Sequence, residues 1–293
     1  MYSGVRETAD LDADYEALRH GAGAVWLPRD ILRVAGPDAL SFLQGQLSQD
    51  VVAVEIGASA WSFLLQPQGK VDALVRLTRT ADDEVVVDVD GGHGDAVVAR
   101  LNRFKLRVKA DIEPVAWRCL AVRGVEGATG AVPAFGTGAD ILGPSPEVPA
   151  GVRECSLDAY EVLRIEAGWP AMRAELTDRT IPAETGLLDR TVSFTKGCYT
   201  GQELVARIDS RGGHVPRHLR GVVVDGDLPP VGATVLAGED EVGSLTSVAV
   251  SPQFAAPVAL AYVHRDVEPP AAVEVRWDGS IAHATVHTLP VQP

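Results

Sequence analysis

Residues 196–203 read Lys196-Gly197-Cys198-Tyr199-Thr200-Gly201-Gln202-Glu203: a cation, a thiol and two turn glycines ahead of a helical pattern. Thr200 and Glu203 have capping-box spacing, in which the hydroxyl takes the third backbone N–H and the carboxylate reaches back. Leu204, Val205 and Ile208 supply an apolar side, and Gly212 and Gly213 end the helix. Cys198 is therefore expected just ahead of a helix N-terminus and near the Lys196 ammonium, and both favour its thiolate. The competing reading of a solitary cysteine is a small buried apolar side chain, with Lys196 merely solvated.

The chain around this stretch has 293 residues, 46 % of them hydrophobic, enough for one large domain or two ordinary ones with a proper core. Its formal net charge of −14 repels phosphate backbones, which argues against direct nucleic-acid binding and is read as serving solubility. Cys119, Cys155 and Cys198 are far apart and no Cys-x-x-Cys occurs, which fits a reducing compartment and excludes zinc-knuckle and ferredoxin-type cluster motifs. Met1–His20 lacks the apolar core of a signal peptide. The uncharged run Val242–Val263 is long enough to raise a membrane span, but Pro252, Gln253 and Pro257 break it into two strands. The reading is a soluble, cytoplasmic protein without a membrane partner.

Working outward, Ile31–Gly36 predicts a strand and Pro37–Ser48 a helix with Leu40, Phe42, Leu43 and Leu47 on its apolar side. Trp61–Gln66 and Val71–Thr80 predict strands around the turn tetrad Pro67-Gln68-Gly69-Lys70, Glu84–Val89 another strand, and His93–Phe104 a helix. Lys105–Ile112 alternates, with Lys105, Arg107 and Lys109 on one face and Leu106 and Val108 on the other, and predicts a strand. This order predicts an α+β lobe. Gly124–Gly151 is a loop-rich connection with a short strand near Ile141, Asp158–Trp169 a helix closed by Pro170, and Ile181–Phe194 a mix of turns and a short helix. Beyond Gly213 the texture changes. Arg220–Val224, Thr234–Leu236, Val242–Ser247, Val258–Tyr262, Val273–Trp277 and His283–His287 are short, β-rich and evenly spaced, as in a small barrel or sandwich.

Other signals are weaker. His214 and His218 are separated by Pro216, and His283 and His287 lie too far apart along a strand to share an ion, so no metal site is expected. His20-Gly21-Ala22-Gly23 starts like a dinucleotide loop but lacks the third glycine and a preceding strand. The Lys105, Arg107, Lys109 face, with Arg100 and Arg103 nearby, is a candidate dock for an anionic ligand tail, set against an ordinary solvated face.

The eight-residue stretch at 196–203 resembles the signature of the YgfZ-type folate-binding proteins, relatives of the glycine-cleavage T protein (GcvT, an aminomethyltransferase). Phe42–Val51 is similar to the early helix-and-turn segment of that superfamily, Gln68-Gly69-Lys70 to its central hairpin, and Arg103–Lys109 to the end of its ferredoxin-like lobe. Arg164–Pro170 and Ile181–Glu184 resemble the run before the signature. Gly243–Ser247, Ser251-Pro252 and Ala259–Val263 resemble its C-terminal barrel. The likeness covers nearly the whole chain.

It implies an α+β, three-lobed GcvT/YgfZ-like cloverleaf with a ferredoxin-like lobe and a C-terminal β-barrel. Residues 1–213 would form the folate-binding unit of two lobes, with about 50–112 its ferredoxin-like part, and residues 214–293 the barrel. The implied ligand is tetrahydrofolate or a one-carbon derivative in a central cavity. The implied role is accessory: assembly or maintenance of iron–sulfur clusters in client enzymes, including some that modify tRNA. Residue by residue, Cys198 and Lys196 are the reactive pair; Gln202, Glu203 and Arg207 belong to the same loop and helix. Glu184 stands where T-protein relatives turn a glutamate to the pterin, and Gln46 and Lys70 belong to the two other segments of the ligand site. Val71-Asp72-Ala73 carries one acid where the T protein has adjacent aspartates, so Asp72 is the candidate for its catalytic place. The alternative function is a folate-dependent aminomethyltransferase.

Overall fold

A computed structural model describes residues 8–125 and 127–292; the first seven residues of the Met1–His20 segment lie outside it. In chain order the elements are α1 (Thr8–Arg19), β1 (Gly23–Leu27), β2 (Arg29–Ala35), α2 (Ala39–Gln46), β3 (Ser59–Leu65), β4 (Val71–Ala81), β5 (Glu84–Asp90) and α3 (Gly94–Phe104). There follow β6 (Asp111–Val115), β7 (Arg118–Arg123), β8 (Gly138–Gly143), β9 (Arg153–Glu154), α4 (Leu157–Ala167) and a 3₁₀ turn (Pro182–Glu184). The last are α5 (Leu188–Thr191), α6 (Gln202–Ser210), β10 (Arg217–Val224), β11 (Thr234–Ala237), β12 (Asp240–Ser251), β13 (Ala256–His264), β14 (Ala271–Trp277) and β15 (Ser280–His287).

The strands form three bodies: a five-stranded sheet ordered β3-β4-β5-β2-β6, a four-stranded sheet ordered β8-β7-β1-β9, and a closed barrel ordered β10-β13-β12-β11-β14-β15. The architecture is the α+β, three-lobed one that the resemblance implies. All six strand segments expected after Gly213 lie in the barrel, which closes because β15 returns to pair with β10. The run Val242–Val263 supplies its two longest neighbours, β12 and β13, paired antiparallel. No helix among the described residues is long and apolar enough to cross a membrane.

The five-stranded sheet is buried on both faces. On one, Phe42 and Leu43 of α2 and Val97 and Leu101 of α3 pack on Leu32, Val34, Val75, Leu77, Val85 and Val87. On the other, Trp61, Phe63, Leu65 and Leu74 meet Trp169, Leu176, Leu187 and Val205 from the later part of the chain. Strand side chains alternate between faces, so β3 serves both cores and reads as a nearly unbroken apolar run. The sheet takes β2 from before residue 50, and α2, also from before residue 50, packs on it.

The stretch before β6 departs from expectation. Lys105–Lys109 is not a strand, and pairing begins only at Asp111. Arg107 adopts a left-handed φ of 59°. Leu106, the residue that should anchor an apolar face, is 81 % exposed. The segment is held instead by its ends, where Lys109 N donates to Asp38 Oδ2 at 2.7 Å and Asp38 N donates to Lys109 O at 3.2 Å. Alternation of charge mimicked a strand without the burial that makes one.

The two sheets are joined by buried charge. Arg76 on β4 is fully buried and stands cross-strand from Trp61 on β3 and Asp88 on β5. Its Nε donates to Asp88 Oδ2 at 2.9 Å and its Nη1 to Asp140 Oδ2 on β8 at 2.5 Å, with the Trp61 ring 5.1 Å below. Arg29 binds Asp88 and Asp90, and Arg123 on β7 binds Asp140. Burial alone would raise the Asp88 carboxyl, but Arg76 and Arg29 outweigh it and hold the group below the usual carboxylate range. A second joint, towards the barrel, is Glu166 on α4, which accepts from Tyr15 and Arg19 of α1 and from Ser251 of β12.

Arg76→Met is expected to cost about 3–5 kcal/mol in urea unfolding, because it takes one of two cations from each of the buried Asp88 and Asp140; a loss below about 1 kcal/mol contradicts this joint. The unfolded Asp88 carboxyl binds its proton near 3.9 and the folded one lower, so the unfolded state holds the extra proton in acid. Stability is therefore expected to be full at neutral pH and to fall as pH drops below about 4. An acid-insensitive unfolding midpoint in wild type argues against it.

Candidate functional site

The last carbonyls of a helix have no intrahelical donor. At the end of α2 the donors come from the signature loop. Lys196 Nζ donates to Gln44 O at 2.7 Å, Leu47 O at 2.7 Å and Gln49 O at 2.8 Å, which uses all three N–H groups of an ammonium. Thr200 N donates to Gly45 O at 3.0 Å, and upstream Ser193 N donates to Ser48 O at 3.0 Å. The segment 193–200 thus lies along residues 44–49.

The loop then meets the β3–β4 turn backbone to backbone. Gly201 and Gly69 have φ values of 83° and 82°. A Cβ on Gly201 would stand 2.5 Å from Gln66 O, and one on Gly69 would stand 2.5 Å from Leu204 Cβ. Only glycine suits either place, for conformation and for space. Three segments that are separate in sequence (44–51, 66–70 and 196–204) form one continuous piece of structure.

This geometry corrects the capping box. Helix α6 begins at Gln202 after left-handed Gly201, the Thr200 hydroxyl turns to Gly45 O at 3.4 Å, and Glu203 is exposed. The loop is closed instead by Gln202, whose Oε1 accepts Tyr199 N at 3.1 Å. Cys198 stands outside the helix start, and the Lys196 N–H groups are committed to carbonyls rather than to its sulfur. Burial draws the Lys196 ammonium down to about 8, against the charge of Asp50, and the three carbonyls also oppose that fall. Cys198 is exposed, whereas Cys119 and Cys155 are buried, and burial pushes the Cys119 thiol up to about 12.

Beside the β3–β4 turn lies a cavity of about 510 Å³, walled by the turn, the start of β4 and α3. Its polar lining is Gln66, Gln68, Asp72, His93, Arg100 and Arg103. Arg100 organises it: Nε donates to Asp72 Oδ2 at 3.0 Å, Nη1 to Gln46 Oε1 at 3.2 Å, and Nη2 to Leu65 O at 2.8 Å. The guanidinium lies 3.9 Å from the Phe104 ring centre. A second cavity of about 200 Å³ sits where the sheets meet, between Arg29, Asp90 and the edge-stacked Trp61 and Trp169.

The expected residues therefore divide. Asp72 lines the larger cavity and Gln46 joins it through Arg100; Lys196, Cys198 and Gln202 form the adjoining loop. Lys70 closes the turn through its backbone, accepting Gln66 N at 2.8 Å, and is not among the lining residues. Glu203 and Arg207 are exposed on α6. Glu184 is buried apart from this cavity and accepts Arg217 Nε at 3.1 Å, Arg217 Nη2 at 3.3 Å and Ile181 N at 3.1 Å. The basic wall is Arg100 and Arg103 on α3 rather than Lys105–Lys109. Sequence reading groups these arginines with the expected strand, and their helical spacing opposite Val97 and Leu101 is the signal that separates them from it.

The profile of the Glycine cleavage T-protein C-terminal barrel domain matches residues 217–291. An uncharacterized protein of Haemophilus influenzae is 31 % identical over 188 residues, 62 % of this chain and 66 % of that protein. An aminomethyltransferase of Thermus thermophilus is 28 % identical over 301 residues, covering 89 % of this chain and 84 % of its own. The chain belongs to the glycine-cleavage T-protein superfamily.

Within that superfamily it is also 27 % identical, over 72 % of its length and 58 % of the relative's, to the "Iron-sulfur cluster assembly factor IBA57 homolog, mitochondrial" of Chaetomium globosum. The fold matches that of the glycine cleavage system aminomethyltransferase T from Bartonella henselae, with a TM-score of 0.83 at 22 % identity over 96 % of this chain and 89 % of that one.

Lys196→Met leaves three carbonyls without their donor and is expected to cost about 2 kcal/mol or more. Gly201→Ala, strained in φ and short of space, is expected to cost a further 1–3 kcal/mol or so in its own right. Both variants are expected to speed proteolytic cleavage within 193–204, read by mass spectrometry. Wild-type unfolding and cleavage in both would refute the anchoring.

Proposed function

We propose that this chain is a YgfZ-type, folate-binding accessory protein that supports assembly or maintenance of iron–sulfur clusters in client enzymes, tRNA-modifying ones among them. The observation that carries the reading is the convergence of the signature loop on the wall of the Asp72 cavity: Gly201 rests on the turn whose residues Gln66 and Gln68 line it. The residues present fit a reduced folate. A cavity of about 510 Å³ is of ligand size, whereas one of about 200 Å³ is not. Asp72, Gln66 and Gln68 offer hydrogen-bonding groups to a pterin, and Arg100 and Arg103 offer cations to the glutamate tail.

In this reading, bound folate supplies one-carbon or redox chemistry, and the chain's own residues position and present. Arg100 holds Asp72 and Gln46 in register, Lys196 fixes the loop, and Cys198 is offered to solvent and to client proteins. An exposed thiol is a ligand or acceptor for a cluster or persulfide carried by a partner, which enters as cargo. The iron–sulfur role draws on the named fungal relative. Such a free thiol persists in a reducing, cytoplasmic compartment.

Calorimetric titration with tetrahydrofolate and 5-formyl-tetrahydrofolate is expected to show saturable binding, weakened at least about tenfold by Arg100→Ala, which removes a charge-assisted donor. No binding of either folate overturns the proposal. Cys198→Ser is expected to bind folate normally but to fail in restoring iron–sulfur enzyme activities to cells that lack the protein; full restoration would remove Cys198 from the mechanism. A second reading, aminomethyl transfer, is favoured by one feature, the acid Asp72 on the cavity wall. Turnover of an aminomethyl donor by wild type, abolished in Asp72→Asn, would establish it in place of the first.

A further inference from the structure

At the Gly23 end of β1, away from the Asp72 cavity, lies a third hollow of about 500 Å³. It is enclosed by the end of α1, the end of β7, the segment 135–137, α4 and the C-terminal residues Pro290 and Val291. The His20-Gly21 pair, unexplained as a dinucleotide loop, forms part of its rim. Gly21 and Gly124 pass so closely there that a Cβ on Gly124 would overlap Gly21 O at 1.5 Å.

Arg123 lines this hollow and is only 3 % exposed. One end of its guanidinium is satisfied: Nη1 donates to Val122 O at 3.0 Å and to Asp140 Oδ1 at 2.8 Å. The side edge is not. Nε and Nη2 are buried and have no hydrogen-bond partner among the described residues. Asp140 is shared with Arg76, so it neutralises Arg123 only in part. The Phe135 and Tyr160 rings flank the guanidinium, each 6.0 Å away. The other cation on the wall, Arg19, is already bound to Glu166. Buried N–H groups are costly to leave unmatched, and the Nε/Nη2 edge of arginine is shaped for the two oxygens of a planar carboxylate. The rest of the lining combines the apolar Leu18, Phe135, Leu163 and Val291 with His20, Thr137 and the Glu166 carboxylate, whose oxygens are already taken by Tyr15, Arg19 and Ser251.

We infer that this hollow is a second ligand site, for a small carboxylic acid with an apolar body, held side-on by Arg123 with the body against Leu18, Phe135 and Leu163. The inference does not rest on the folate reading and uses none of its residues. Phenylacetate is the probe, with phenylacetamide and phenyl phosphate as comparisons, titrated by calorimetry into the full chain. Phenylacetate is expected to bind, and the amide at least about tenfold less well for want of the paired anion. Arg123→Lys, which keeps a cation for Asp140 but removes the planar edge, is expected to lose at least about tenfold. Thr137→Trp fills the mouth from an exposed position without touching Asp140, and is expected to abolish phenylacetate binding while leaving tetrahydrofolate titration as in wild type. If Arg123→Lys does not fold, Thr137→Trp and the acid–amide pair decide the matter. Equal binding of acid and amide, no heat with phenylacetate up to its solubility limit, undiminished binding in Thr137→Trp, or a preference for phenyl phosphate would overturn the assignment.

Discussion

The hold of Lys196 on the carbonyl end of α2 is the constraint from which the site follows. A helix end needs donors, and a four-carbon stem with three N–H groups can satisfy several carbonyls from one direction. Once the ammonium is seated among Gln44, Leu47 and Gln49, the next residues have little freedom. Thr200 is tied to Gly45, Gly201 is pressed on the β3–β4 turn, and α6 starts where it must. Gly197 and Cys198 are the part of the loop left outside these ties, and Cys198 is exposed for that reason. A basic residue next to a cysteine invites the idea of direct activation. Here the three ammonium N–H groups go to backbone carbonyls, which fixes the loop that carries the thiol.

Holding the loop matters only if the lobes beneath it are rigid. The Arg76 centre supplies that rigidity: Asp88 fixes the guanidinium within the five-stranded sheet, and Asp140 ties it to the four-stranded one. Glu166 and Glu184 do the same towards the barrel, through Ser251 and Arg217. Buried ion pairs are a poor source of stability compared with packed apolar groups. They are directional, however, and set how the three lobes meet, whereas apolar surfaces such as Trp61 on Trp169 tolerate sliding. Glu184 illustrates the consequence: its oxygens already have donors in Arg217 and Ile181 N, so it serves the joint between lobes.

Much of this was legible in the chain. The barrel strands announced themselves by short β-rich runs between Gly, Pro and Asp turns. The β3–β4 hairpin was legible from Gln68-Gly69-Lys70, and α3 from Val97, Val98 and Leu101. These features are local, and local chemistry decides them. What misled was also local. The Thr200–Glu203 spacing satisfies a capping box, but left-handed Gly201 is demanded by its contact with Gly69, a partner far away in sequence. Lys105–Lys109 alternates like a strand, yet no surface waits to bury Leu106. The site was legible in part, since the motif residues were recognised but their joining through Arg100 was not. Arg76 looked like one more charge in β4; only the pairing of two sheets makes it central.

A single accessible thiol on a loop that abuts a cavity of about 510 Å³ stands at the centre of the site, and native-state alkylation reads that placement. Iodoacetamide is applied to the folded protein with and without saturating tetrahydrofolate, and each cysteine is followed by mass spectrometry. Cys198 is expected to be modified well before Cys119 and Cys155, at a rate that changes when tetrahydrofolate is added. Uniform protection of all three, or a Cys198 rate indifferent to the folate, would contradict that placement.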